Sequence, residues 1–318
     1  MKPRRQQLIE LIERGAIPSD KTAQAVAAAE ILPDGSAWRR FLDQLLLWLG
    51  SLALAFSVLF FVAYNWDDLG RFAKFGLVQG LLVLAVVVYC RADPSGTSTK
   101  AALLVATILL GVLLALFGQT YQTGADPWQL FANWALLMIP WAIVARFPVL
   151  WILWVGLINL SIALYGGAFG MFGSEVGSLW LIFLFNTAVL ALWESCTPKW
   201  PWLEPRWAIR LLAVAGGVPL TGLVIRGILE GGAGLYLPGL VWALWLAGLY
   251  WVYRSRHPDL FMLAGGCLSG IVVVVTFLTN HLLDGDHALT FLFLALLVIG
   301  LGTGAALWLR KVQREWTS

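Results

Sequence analysis

Charge is what this sequence has least of where it matters. Ten apolar stretches can be marked between Gln44 and Arg310, and they contain almost no charge, the few charged side chains such as Lys74 lying within a turn of a stretch's end. Charged residues make up 12% of the chain, about half the ~25% of ordinary soluble domains. The shortage points to lipid as the solvent. It also argues against an ordinary proton- or sodium-coupled pump, because intramembrane carboxylates and bases are the usual relays of such machines. Cysteine is scarce too. Cys90, Cys196 and Cys267 are odd in number and widely spaced, so no disulfide is expected. No catalytic partner for a thiol is visible in the sequence. Zinc-protease, phosphate-loop and nucleophile-elbow signatures are all missing. The net charge of +3 comes with no clustered basic face, which excludes nucleic acid as a partner.

What is present is hydrophobic length. Apolar runs at about 44–64, 72–90, 101–118, 129–146, 149–168, 176–193, 208–226, 237–253, 260–280 and 288–309 each approach the ~20 residues that a bilayer core requires. They predict an all-α, polytopic membrane helical bundle of about ten spans. The fourth and fifth are joined only by Phe147-Pro148, which demands a tight helical hairpin. No cleavable signal peptide is expected, since the first apolar run starts late and is long.

The basic residues fix an orientation. All of the 21 Lys and Arg except Arg71, Lys74 and Arg226 fall in alternate connecting segments, starting with the N-terminal one. Cytoplasmic loops carry such an excess, so both termini are expected in the cytoplasm. Asp67, Asp68, Asp126, Glu175, Glu230, Asp284 and Asp286 fall on the opposite side. Tryptophan agrees with the same layout: Trp66, Trp128 and Trp180 at the outer interface, Trp193, Trp200, Trp202, Trp207 and Trp251 at the inner one.

Three regions follow: a cytoplasmic helical segment 1–43, a transmembrane bundle 44–310, and a cytoplasmic tail 311–318. In the first, Leu8, Leu11 and Ile12 share a helical face that ends at Gly15. A second short helix opens near Pro18-Ser19-Asp20 and stops before the turn Pro33-Asp34-Gly35. Trp38, Arg39 and Arg40 lead into the membrane. Five plus five spans would also permit an inverted repeat of 44–165 and 176–310, though the two halves show no sequence match.

Polar residues inside the spans are few. Gln79, Asn133, Asn159, Asn186 and Asn280 either bridge helices or line a polar cavity. Pro140 in the fourth span and Gly216-Gly217-Val218-Pro219 in the seventh weaken those helices, as the discontinuous helices of transporters are weakened. The outer face gathers two clusters. One is Asn65-Trp66-Asp67-Asp68 with Gln119-Thr120-Tyr121-Gln122, backed by Asp126 and Trp128. Arg71 and Lys74 directly follow its acidic pair. The other is His281, Asp284, Asp286 and His287, whose imidazoles and carboxylates are chemically suited to a zinc-like cation, although such residues are also ordinary in an exposed turn.

Several of these residues carry a resemblance. Phe61-Val62-Ala63-Tyr64-Asn65-Trp66-Asp67-Asp68-Leu69 looks like the end-of-first-helix motif of a set of predicted bacterial membrane proteins, catalogued as domain of unknown function 2157. Gly118-Gln119-Thr120-Tyr121-Gln122, Asp126-Pro127-Trp128-Gln129-Leu130-Phe131, Trp134-Ala135 and the N-terminal Glu13-x-Gly15-x-Ile17 resemble it as well. The resemblance covers roughly residues 1–150. It implies a bacterial inner-membrane protein, and it transfers no catalytic residue.

Three functional readings stand. The favoured one is a transporter-like or small-molecule/lipid-handling protein, whose ligand meets Asn65, Trp66, Asp67, Asp68, Gln119, Tyr121, Gln122, Asp126 and Trp128 at the outer face. It predicts a watery cavity running from there toward the bilayer midplane. The second is a structural or assembly component that contacts a protein partner through residues 1–43. The third is a membrane hydrolase with a metal on His281, Asp284, Asp286 and His287. Beyond that metal no cofactor is expected, and the lipid bilayer is a partner in every case.

Overall fold

The computed structural model describes residues 8, 11, 12, 14–18, 21–28, 35–64, 70–93, 96–169, 175–282 and 287–317. Among these there is no strand, and ten helices are long and apolar enough to cross a bilayer. We name them α1 (Gly35–Tyr64), α2 (Arg71–Arg91), α3 (Thr97–Tyr121), α4 (Pro127–Ala145), α5 (Pro148–Phe169), α6 (Glu175–Cys196), α7 (Arg206–Glu230), α8 (Tyr236–Trp251), α9 (Leu260–Leu282) and α10 (His287–Thr317). Helices satisfy every backbone polar group within the segment, which lipid demands. Long apolar runs without water therefore become helices here whatever their individual propensities.

Each expected span has its helix, with differences at the ends. α1 begins at Gly35 rather than near Gln44, and α10 continues through Arg310, Lys311 and Arg314 to Thr317. No glycine or proline interrupts either extension, so the helix runs on past the apolar stretch. Before α1, a short helix spans Thr22–Ala28. Gly15 adopts the left-handed region, φ 71°, and its N–H bonds Ile12 O at 3.0 Å while Ala16 N–H bonds Leu11 O at 3.0 Å. Gly15 is thus the expected helix stop. Ser19, Asp20 and Pro33-Asp34 lie outside the described residues.

The chain forms two compact units, Met1–Leu116 and Phe117–Ser318. In the first, α3 is the central helix, with half of its span buried. Val78 of α2 packs on Val112 and Leu116 of α3, with Val58 of α1 beside them. Lys74 is buried in this unit.

In the second unit α7 holds the central place, again half buried. Ile209, Leu212 and Ala213 of α7 meet Trp193 of α6, Leu249 of α8, Met262 of α9 and Val312 of α10. Trp193, expected as an interfacial anchor, is therefore a core residue. Its indole N–H donates to Leu203 O at 3.1 Å. α4 and α5 form the expected hairpin. Arg146 closes α4 in the left-handed conformation, φ 46°, and Pro148 opens α5 where its missing N–H costs nothing. Pro140 and Pro219 are both accommodated inside continuous helices. Most of the outward surface is apolar: Leu192, Val218, Leu244 and Leu268 are each more than 60% exposed, as side chains that face lipid should be.

Candidate functional site

The amides show how this fold treats polarity inside a membrane. Asn186 of α6 is fully buried. It donates from Nδ2 to Asn159 Oδ1 on α5 at 2.8 Å and to Ile182 O at 2.7 Å, and it accepts from Asn159 Nδ2 at 3.1 Å. Asn280 of α9 donates to Ile228 O of α7 at 3.1 Å. These three amides bridge helices. Gln79 and Asn133 are exposed.

The outer cluster is only partly within view. Asn65, Trp66, Asp67 and Asp68 lie outside the described residues, and so does the acidic partner expected for Arg71 and Lys74. Gln119 and Tyr121 are exposed at the end of α3, and the Tyr121 ring lies 4.8 Å from that of Phe117. Gln122 ends the helix with φ 43°. Asp126 takes the extended N-cap position of α4 without a side-chain cap bond. Trp128 packs edge-on against Tyr165 of α5 at 4.8 Å, and its carbonyl accepts the Ser161 hydroxyl at 3.1 Å. Trp128 therefore fastens the α4–α5 hairpin. Of the second cluster, His281 is exposed, its ring tilted against that of Phe277 at 4.2 Å, with a ring nitrogen 2.8 Å from Phe277 O. Asp284, Asp286 and the His287 side chain lie outside the described residues. No group of three or more metal-binding side chains forms among the residues that are described.

The best-built polar site lies at the opposite end of the second unit. There the C-termini of α6, α8 and α10 meet the N-termini of α7 and α9. Arg206 and Arg210 are one turn apart on α7 and so share a face. Arg206 donates from Nη1 to Glu194 Oε1 at 3.2 Å and from Nη2 to His257 O at 3.3 Å. Its Nε lies 3.6 Å from Asp259 Oδ2. Arg210 donates from Nε to the same Asp259 oxygen at 3.1 Å. Asp259 Oδ1 accepts the Phe261 N–H at 3.0 Å, which caps α9. Tyr253 donates to Glu194 Oε1 at 3.0 Å. The Asp259 side chain is 2% exposed. A carboxylate so deep is tolerable only because two guanidinium groups and a backbone N–H surround it. Arg254 pairs with Glu315 of α10, and Arg256 lies over the Trp251 ring at 4.3 Å.

A cavity of about 610 Å³ opens beside this network between α6 and α8. Glu194, Tyr253, Arg256 and His257 line its polar end, and Leu190, Leu249 and Trp245 its apolar interior. The Thr187 hydroxyl, also in its lining, is buried without a hydrogen-bond partner. Val252–Arg256 form a π-helical turn at the mouth, a deformation that recurs at functional sites. Such a chamber suits an amphipathic molecule, with its polar group at the membrane interface and its apolar part inside.

Sequence reading overlooked this site. Its usable signals were the Arg206/Arg210 spacing and the acidic residues Glu194 and Asp259 among the basic residues of that side. No curated protein and no solved structure matches the chain. Over residues 10–151, from the N-terminal helical segment to the start of α5 and so short of Glu194, the chain matches the family described as predicted membrane protein (DUF2157).

Proposed function

We propose that this chain is a small-molecule- or lipid-handling protein of the bacterial inner membrane, with both termini in the cytoplasm. The orientation is supported by the second unit, where every Lys and Arg except Arg226 sits toward the Glu194–Asp259 end; Arg226 is paired locally with Glu230 at 2.6 Å. The observation that carries the function is the α6–α8 cavity. It joins a charged, hydrogen-bonded rim to an apolar interior, and it opens at the end where phospholipid headgroups and cytoplasmic solutes meet. Its ligand would enter from that side. The exposed turn of Gln119, Tyr121 and Gln122 at the other end contributes no lining residue to this cavity.

The test is direct. The protein is reconstituted in lipid nanodiscs, and molecules that travel with it are extracted and identified by mass spectrometry. The comparison is Ala191→Phe, which fills the cavity from a position where the side chain is small and exposed. A molecule enriched with the wild type and depleted in the folded variant is the expected result. Identical extracts from both would end the proposal.

A further inference from the structure

A second concavity lies between α7 and α9. It measures about 380 Å³. Its lining differs from that of the α6–α8 cavity, though Trp245 and Leu249 border both. Small residues create it. Gly217 and Gly222 on α7 face Gly265 and Gly266 on α9 across the gap. Trp245 of α8 forms the floor, so close that a Cβ on Gly217 would lie 2.8 Å from its ring. The polar atoms of the lining are consumed internally. Trp242 Nε1 donates to Ser269 Oγ at 2.8 Å, Ser269 and Thr221 hydroxyls lie 2.7 Å apart, and Thr221 donates to Gly217 O at 2.8 Å. What remains facing the groove is hydrocarbon. Val218 and Leu268, 64% and 63% exposed, flank an opening that faces sideways into the bilayer.

Length and charge identify what fits. The lining of α7 runs from Ala213 to Ile225, which at 1.5 Å per residue is about 18 Å. One leaflet of a ~30 Å hydrocarbon core is ~15 Å deep. The groove is thus as long as an acyl chain of a single leaflet. At its interfacial end stands Phe261, and the guanidinium of Arg210 sits over that ring, 5.4 Å from its centre. Arg210 spends its Nε on Asp259, while its two terminal nitrogens have no hydrogen-bond partner among the described residues. The side chain is 42% exposed. Asp259 is shared with Arg206, so its charge is not Arg210's alone to neutralise. A planar pair of free donors at the headgroup level is well matched to a phosphate.

We propose that the α7–α9 groove binds one phospholipid, its acyl chain along Ala213–Ile225 and its phosphate on the terminal nitrogens of Arg210. Native mass spectrometry of the full chain in mild detergent tests this. The probes are dioleoyl phosphatidylglycerol and dioleoylglycerol, which share acyl chains and differ in the phosphate headgroup. Cβ positions at Gly222 and Gly265 are open, with nothing within 4 Å. Gly222→Leu or Gly265→Leu therefore fills the groove without a clash and is expected to lower phospholipid occupancy about tenfold at unchanged melting temperature. Arg210→Gln is expected to weaken the phospholipid about tenfold and leave dioleoylglycerol unchanged. Ala191→Phe, in the other cavity, is expected to alter neither, so failure here and failure of the proposed function are told apart. Wild-type lipid binding by both leucine variants would overturn the proposal. So would an Arg210→Gln variant that loses both probes equally. A wild-type homodimer that Gly222→Leu separates, with lipid binding unaffected, would make the groove a helix–helix interface instead.

Discussion

The Asn159–Asn186 pair permits a quantitative test of how this fold handles buried polarity. The perturbation is leucine at each position singly and at both together; leucine keeps the amide's branched shape, though it is bulkier, and suits a hydrocarbon setting. Two reciprocal hydrogen bonds join the amides, at 2.8 and 3.1 Å. Interhelical hydrogen bonds in membranes average ~0.6 kcal/mol each, so the pair itself contributes about 1 kcal/mol. Removing one partner does more, because it strands the other. An unsatisfied buried amide costs ~1–3 kcal/mol, and Asn186 is fully buried. Each single variant is therefore expected to lose about 2–4 kcal/mol. The double variant strands nothing and is expected to lose only about 1–2 kcal/mol, which makes the pair non-additive by about 2 kcal/mol or more. Reversible unfolding in mixed micelles, titrating dodecyl sulfate into maltoside detergent, measures all four stabilities. Additivity within about 0.5 kcal/mol would refute the argument. Nearly neutral single variants would refute it as well, because they would mean that the amides are hydrated rather than paired.

Three other outcomes follow from the same geometry. Asp259→Ala removes the acceptor of two arginines and of the Phe261 N–H; stripping one partner from a buried pair costs ~3–5 kcal/mol, reduced to about 2–3 here because the arginines are 32% and 42% exposed and screened. A melting temperature equal to wild type would show the network to be ornamental. Gly227→Ala sets a Cβ 2.8 Å from Leu235 Cα and 3.0 Å from Gly234 O, backbone that cannot swing away, and should cost ~1–3 kcal/mol. The control Gly222→Ala, in open space, should be neutral or stabilising by up to ~1 kcal/mol, and equal effects at the two glycines would contradict the close approach of the 231–235 segment. For topology, alkaline phosphatase fused after Ser318 should be inactive and a cytoplasmic fluorescent reporter there active, with the reverse for fusions in the 231–235 segment; active phosphatase at Ser318 would invert the orientation.

The spans were legible because hydropathy reports directly the transfer that places them: a run such as Ala101 to Leu116 of α3 has no stable alternative in lipid. Their ends were less legible, since α1 and α10 continue as helix where the apolar signal stops. Helix formation needs only the absence of a breaker, and Ser36–Asp43 and Arg310–Thr317 contain none. The Glu194–Arg206–Asp259 site was not read at all. Its partners are 12 to 59 residues apart in sequence, and periodicity within one helix carries no information about which helix end meets which. The grooves were hidden for another reason. Glycine in a span is equally compatible with tight packing, as at Gly227 against Leu235, and with open space, as at Gly222 and Gly265. Only the neighbouring helix decides between the two.

The basic residues of the second unit have two tasks that the sequence alone merges into one. Their number on one side is an insertion signal, for which any positive charge serves. Their identity is a structural matter. Arg206 reaches Glu194, Asp259 and the His257 carbonyl at once, which a planar fork of donors permits and a lysine ammonium does not. Lys199, by contrast, is exposed and satisfies the orientation rule with no such set of contacts. The arginines that close the ends of α6, α7, α8 and α9 also frame two concavities of this unit: Arg206 holds the carboxylate on the rim of one, and Arg210 stands at the interfacial end of the other. The positive end of the unit thereby holds the charged rim of the α6–α8 cavity and the guanidinium at the interfacial end of the α7–α9 groove. In the proposed orientation, charges kept on one side for insertion are also placed to meet headgroups and anionic solutes there.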